Sequence, residues 1–478
     1  MTSRRNFLKT MGSSLAGIAL SRTSDLLAHP TLMTTKEWTA IKHDKIRIAY
    51  IGIGNRGLQD IEEFAKTDMV DVVALCDVDL NGSQCQKALK MYPKAKRYRN
   101  FRKMFDEAHN AFDAVCVATP DFIHFPIAMM ALAYGKHIYL EKPMTRTFLE
   151  SELLMSMAKK HPELATQVGN QGHSEDNYFQ FKAWKEAGII KDVTAITAHM
   201  NNIRRWHHFD VNMIKMPPAE PLPPNMDWDT WLGARPYHDY SSKYHQGEWR
   251  SWYDFGMGAL GDWGAHILDT AHEFLELGLP YEINMLKAEG HNDFFFPYSS
   301  TILFKFPARK DMPPVDITWY DGLENFPPLP AGYGQSMYNT DIPSTNMGNT
   351  PVSKLNPGKI IYSKDFIFKG GTHGSTLSII PKEKAEAMKD KLPEIPKNHS
   401  NHYANFLKAC MGEEKTRSPF EINGILSQVF CLGVIAQRLN ARLFFDATTK
   451  KFTNNEFANA LLIGLPPRKG WEDFYKLI

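Results

Sequence analysis

Paired cysteines are missing from this chain of 478 residues. The five present, Cys76, Cys85, Cys116, Cys410 and Cys431, are odd in number and show no paired spacing. That argues against a disulfide scaffold and a cysteine zinc site, and for folding in a reducing compartment. An excess of one charge is missing too. Lys and Arg number 55 against 53 Asp and Glu, a net charge of +2, so no basic face for nucleic acid is expected. No apolar run reads as reaching the roughly 18–20 residues that span a bilayer, and no internal repeat is visible.

What is present is ordinary globular composition, 43% hydrophobic and 23% charged, in a chain long enough for two domains. Near its start stands SRRNFLK (Ser3–Lys9), then the mildly apolar run Met11–Leu20 and Ala28 before His29-Pro30. This order reads as a twin-arginine export signal, handled by a translocase for folded proteins. A plain basic terminus on a cytoplasmic protein is the alternative. The expectation is a signal and linker over 1–33 and a periplasmic or otherwise extracytoplasmic protein.

KIRIAYIGI (45–53) reads as a buried strand and runs into GIGNRG, which sets Gly52, Gly54 and Gly57 in G-x-G-x-x-G spacing with Asn55 and Arg56 between them. Leu58, Ile61, Phe64 and Ala65 then recur at helical intervals. Strand, glycine turn and helix in that order make a dinucleotide cradle: a tight turn, a close backbone approach and an N-terminal helix dipole for the pyrophosphate. The next strand ends at Asp77, twenty residues beyond Gly57. A carboxylate there accepts from ribose hydroxyls and repels a 2′-phosphate, so NAD is expected over NADP. Further strands over 113–119 and 137–140, with a helix over 125–134 between them, extend a parallel sheet whose ligands bind beyond the strand C-terminal ends. Thr119, Pro120 and His124 follow one of those ends, and Glu141, Lys142 and Pro143 the other.

These phrases, taken with GKHIYLEKP, GNQGHS and GDWGAHILD, resemble the Gfo/Idh/MocA family of sugar and polyol oxidoreductases. The resemblance covers roughly residues 45–310 well and the remainder more loosely. It implies an α/β protein: an N-terminal Rossmann domain, expected here over 43–164, and a C-terminal α/β domain over 165–478. The second domain carries a large open, mostly antiparallel sheet, the substrate site and often the oligomer interface, so a homodimer or homotetramer is expected. On their own terms, 193–200, 281–289, 299–306 and 315–320 read as strands, 258–278 as one helix and 321–358 as a long loop. That loop reads equally as a lid or as a plain surface excursion.

The resemblance also implies a catalytic set of Lys142, Asp262 and His266. Asp262 and His266 stand four apart on one helix face. A histidine of ordinary pKa can take a hydroxyl proton as hydride leaves, and a lysine ammonium can stabilise the oxygen. Asp262 would bind substrate hydroxyls or bias the histidine, and Asp269 lies on a similar face. Thr119, Pro120, His124, Glu141, Lys142 and Gln171 are expected beside the cofactor. His173, Arg204, Arg205 and Trp206 are expected beside the substrate, though the 204–208 cluster reads equally as a rim or a subunit contact. GNQGHS departs from the Arg-containing phrase of many members, which leaves the sugar open. Metal binding by His207-His208 is disfavoured, because adjacent residues point apart and no third ligand has a telling position.

Three functions follow. One is an NAD-dependent oxidoreductase acting on a CH–OH group of a sugar, glycoside or polyol. A second is a redox-neutral NAD-dependent glycosidase that oxidises, eliminates, hydrates and reduces back. The third is a silent sugar-binding module. Export would require a cofactor that arrives bound and is regenerated in place, which suits the first two. The EKP phrase favours the first.

Overall fold

The computed structural model describes residues 44–201, 209–245, 247–333 and 355–476. The signal and linker at 1–33, the cluster Arg204, Arg205, Trp206, His207 and His208, and most of the 321–358 loop lie outside them.

The first sheet is parallel and six-stranded: β1 (Ile46–Ile51), β2 (Val70–Cys76), β3 (Lys96–Tyr98), β4 (Ala114–Val117), β5 (His137–Leu140) and β6 (Thr166–Val168), in the order β3-β2-β1-β4-β5-β6. Ile46, Ile48, Ala49 and Tyr50 are buried on both faces of β1, as a strand between two helix layers requires. Helices Arg56–Ala65 and Ser83–Met91 cover one face, and Phe101–Ala108, His124–Ala133 and Phe148–Lys160 the other. Strand order reverses between β1 and β4, which opens the crevice where such sheets bind ligands.

Two features cross the boundary expected at 164. Strand β6 continues the first sheet to Val168. Helix His402–Cys410 returns late in the chain to pack Tyr403, Phe406, Leu407 and Cys410 on the Arg56–Ala65 side. The first core is therefore completed by chain from both halves.

The second sheet has nine strands, adding β7 (Val193–Met200), β8 (Glu282–Glu289), β9 (Ser299–Phe306), β10 (Val315–Asp321), β11 (Gly358–Ser363), β12 (Ile367–Gly370), β13 (Ser378–Ile380), β14 (Arg442–Asp446) and β15 (Lys451–Phe452). Only the β7–β10 pair is parallel. Val315, Ile317 and Trp319 alternate inward along β10, the period-two pattern of a sheet with one covered face.

Two sequence readings change. The single helix expected over 258–278 is two, Gly258–Ile267 and Asp269–Phe274. At the break the Thr270 N–H donates to Asp269 Oδ1 at 2.7 Å, so a side chain satisfies a group that a continuous helix would pair internally. Helix Phe420–Leu439 is long and apolar enough to cross a membrane by length and composition, contrary to the reading that no run reaches that length. Asn423, Gln428 and Gln437 interrupt it residue by residue, yet its average stays apolar. Those three are buried and bond to Ser418, Glu152 and Ser300, and most of the helix is buried as a core element.

Candidate active site

The glycine turn after β1 is built by contact. Gly52 has φ +81°, and a Cβ there would lie 2.6 Å from the Ala118 carbonyl oxygen. A Cβ on Gly57 would lie 1.9 Å from the Gly52 carbonyl oxygen. Gly54 is different: its Cβ would meet only the Cys85 sulfur at 3.5 Å, leaving the ligand side open. Asn55 also holds a positive φ, +40°, which asparagine tolerates better than most residues.

Gly52, Gly54 and Asn55 line a cavity of about 440 Å³ together with Arg56, Asp77, Thr119 and Pro120. Asp77 Oδ2 accepts from the Ile53 N–H at 2.9 Å and Oδ1 from the Asp79 N–H at 3.0 Å. The Cys85 thiol donates a third bond to this carboxylate, which leaves one of its roughly four lone-pair sites for a ribose hydroxyl. Burial pushes the Asp77 carboxyl above its ordinary pKa, against the pull of those bonds. Thr119 Oγ1 is buried and has no partner among the described residues. An orphan hydroxyl beside an open glycine turn fits a polar ligand in the cavity, and the whole lining fits a dinucleotide.

Three expected cofactor contacts, Glu141, Gln171 and His124, are engaged by protein partners. Glu141 accepts from Arg56 Nε and from Gln171 Nε2, each at 3.0 Å, and Gln171 Nε2 also donates to the Tyr139 hydroxyl at 3.0 Å. Arg56 pairs with Asp60 at 2.7 Å and donates to the Tyr403 hydroxyl at 2.7 Å. Glu141 and Gln171 thus belong to a buried polar cluster, with the Arg56 guanidinium turned into it; Arg56 still lines the cavity. His124 faces the carbonyl oxygens of Pro143 and Thr119, each at 2.9 Å, so it ties the two strand-end loops together.

The expected catalytic set converges beyond Arg56. Lys142 Nζ donates to Asp262 Oδ1 and to the Asp262 carbonyl oxygen, both at 2.8 Å. One turn on, His266 is buried, and its Nδ1 has no partner among the described residues. Burial, then the charges of His373 and Lys142, push His266 well below its ordinary pKa. Its imidazole is therefore neutral at neutral pH and can accept a proton.

His173 is corrected as a substrate contact. It is buried, with Nδ1 on Asp269 at 3.1 Å and Nε2 on Glu273, so neither ring nitrogen is left for a sugar. Asp269 also accepts from Asn170 Nδ2 at 3.3 Å, a support layer beneath the site. Burial pulls His173 down, but the two carboxylate bonds more than reverse this and hold it up at about 9. The unfolded value is about 6.5. A raised cation pKa gives stability that is full below pH 6.5 and lost as pH rises through 9, about 3 kcal/mol in all. In denaturant titrations the native protein should lose that much relative to His173→Gln between those pH values.

The sequence reading missed two parts of the site. His373, from the loop between β12 and β13, lies flat on His266 with ring centroids 4.0 Å apart; its only sequence signal is the glycine frame GGTHGST (370–376). Trp231, Trp249 and Arg250 wall the cavity from chain beyond the first sheet. No spacing announced them, because their approach depends on residues 226–250 folding back. The Asp227 N–H donating to the Val78 carbonyl oxygen at 3.0 Å anchors that return.

Residues 46–169 match the family model described as an oxidoreductase family with an NAD-binding Rossmann fold. Residues 181–302 match the C-terminal alpha/beta domain of the same oxidoreductase family. A glycosyl hydrolase family 109 protein of Shewanella pealeana is 28% identical over 187 residues, 36% of this chain and 40% of that protein. An alpha-N-acetylgalactosaminidase of Shewanella oneidensis is 23% identical over 226 residues, 44% of this chain and 48% of that protein. The matched stretch spans less than half the length of these relatives. Among solved structures, the WlbA dehydrogenase from Bordetella pertussis in complex with NADH and UDP-GlcNAcA is similar with a TM-score of 0.56 at 14% identity, covering 85% of this chain and 99% of that one. The aldose-aldose oxidoreductase from Caulobacter crescentus gives 0.52 at 13% identity, covering 84% and 100%. At such identities the likeness is one of fold.

Proposed function

We propose that this chain, which belongs to the Gfo/Idh/MocA oxidoreductase family, oxidises a CH–OH group of a sugar, glycoside or polyol with a tightly held NAD. The observation that carries the reading is the Lys142–Asp262 pair set beside a neutral His266, within reach of the charge of Arg56, the residue that opens the helix after the glycine turn. Bound NAD would supply the hydride acceptor. His266 would take the hydroxyl proton, and the Lys142 ammonium would hydrogen-bond the substrate oxygen as negative charge develops on it. Asp262 holds that ammonium in place. Asp77, with Asp79 two residues on, disfavours a 2′-phosphate and so favours NAD over NADP.

Export through the signal at 1–33 belongs to the same proposal. All five cysteines are free and buried, which suits folding and cofactor loading before transport. A homodimer or homotetramer is proposed with it, supported by Leu286 and Phe444 exposed on the adjacent strands β8 and β14.

A second reading, the redox-neutral glycosidase, is favoured by the names of the relatives from Shewanella. One experiment separates the two. The purified protein is denatured and the released dinucleotide identified; the native protein is then offered free sugars and glycosides. NAD(H) released, with keto-sugar formed and a change in nicotinamide absorbance, supports oxidation. Net hydrolysis without redox change supports the glycosidase, and no dinucleotide with no turnover overturns both.

A further inference from the structure

His373 takes no part in the chemistry above, yet the chain places it with care. Its backbone has φ +49°, the left-handed region that a non-glycine residue adopts at a cost. Glycines stand at 370, 371 and 374. At the one position whose backbone favours glycine, the chain carries an imidazole, and strain of this kind points to a use for the side chain.

The loop is seated by several contacts. The His373 N–H donates to the His266 carbonyl oxygen at 2.9 Å. Its Nδ1 lies 3.0 Å from Thr372 Oγ1. A Cβ on Gly172 would lie 2.6 Å from the His373 carbonyl oxygen, and one on Gly374 would lie 2.7 Å from Glu175 Cβ. Glycines on both partners thus let the two backbones meet. The His373 ring then lies on that of His266 with planes 18° apart, and Trp263 stands edge-on to both.

We propose that His373 is a positioning residue for the base: its imidazole lies on the His266 ring, fixes its plane and, by covering that face against water, keeps His266 unprotonated and ready for the hydroxyl proton. The inference rests on the reading of His266 as that base. The charged groups around the pair act in both directions. Lys142 and Arg56 oppose a proton on His266, while Asp262 of its own helix favours one. His373 feels the same three and also Asp269, which favours a proton there. Burial and Lys142 hold His373 down at about 4, so it is neutral at neutral pH and there acts on His266 through cover, not charge. Removing the His373 ring admits water to that face of His266, and hydration of the charged form raises its proton affinity.

The test uses the NAD-loaded full chain with His373→Asn, which suits the left-handed backbone, and His373→Phe, which keeps a flat ring without a titrating nitrogen. NMR of nitrogen-labelled histidine follows His266, its signal assigned by its loss in His266→Gln. In His373→Asn His266 should titrate about one pH unit higher, a tenfold gain in proton affinity, whereas His373→Phe, which keeps the cover, should leave it in place. The acid limb of kcat/KM should move by the same amount. An unchanged His266 titration in His373→Asn, or an equal rise in both variants, overturns the proposal whether or not any sugar turns over. A shifted titration in a protein whose unaltered form oxidises no sugar upholds the positioning role and overturns the functional reading.

Discussion

Lys142→Met should lower kcat for sugar oxidation by roughly a thousandfold or more while the protein keeps its NAD. The ammonium pairs with the Asp262 side chain at 2.8 Å, and it would meet the substrate oxygen where negative charge develops. Removing such a donor typically costs a hundred- to a thousandfold, and a proton-transfer partner a similar factor. Cofactor retention should survive, because the cavity lining reaches Arg56, Thr119 and Pro120 without including Lys142. Stability should not survive intact. Asp262 would be left a mostly buried carboxylate without its ion pair, a loss of about 3–5 kcal/mol by analogy with broken buried pairs. The double variant Lys142→Met with Asp262→Asn should regain much of the melting temperature and none of the rate. That split distinguishes a catalytic lysine from one that merely braces the helix Gly258–Ile267. Single-turnover reduction of bound NAD, read by nicotinamide absorbance, gives the rate; a loss below tenfold sinks the assignment.

How far the sequence could be read follows from where its information is local. The turn GIGNRG and Asp77 are legible because strand, glycine turn, helix and second strand are contiguous, and each residue's role is set within that unit. Asp262 and His266 are legible for the same reason, four residues apart on one helix. Glu141, Gln171 and His124 mark the limit. Their positions at strand ends are legible, but which way a side chain turns depends on partners far along the chain: Arg56 for Glu141, Tyr139 for Gln171, Pro143 for His124. His173 was read as a polar group at a ligand-binding edge, and it is claimed by Asp269 and Glu273 from another helix. His373 and the Trp231–Trp249 wall are the extreme case. They reach the site only through the order of the second sheet and the return of 226–250, which no local period encodes.

The second large effect is expected at Gly57, and its contrast with Gly54 separates holding the fold from holding the cofactor. A Cβ on Gly57 would sit 1.9 Å from the Gly52 carbonyl oxygen and 2.8 Å from the Gly52 carbonyl carbon. Both are backbone atoms, so relief requires the helix Arg56–Ala65 to move away from β1 rather than a side chain to swing aside. Gly52 itself is pinned by its N–H bond to the Cys76 carbonyl oxygen at 2.8 Å. Gly57→Ala should therefore cost about 1–3 kcal/mol as an overpacked contact and spoil the pyrophosphate cradle as well. Dinucleotide content after purification should fall at least tenfold. Gly54→Ala meets only Cys85 at an ordinary contact distance of 3.5 Å, so its cofactor-free form should melt as the unaltered apoprotein does. Its new methyl group instead occupies the path by which a pyrophosphate approaches the backbone, and NAD loading should drop to a similar degree. Thermal melting of the two apoproteins beside their released NAD makes the comparison. If Gly57→Ala keeps both its melting temperature and its NAD, the helix is not seated on the strand as described, and the cradle argument fails with it.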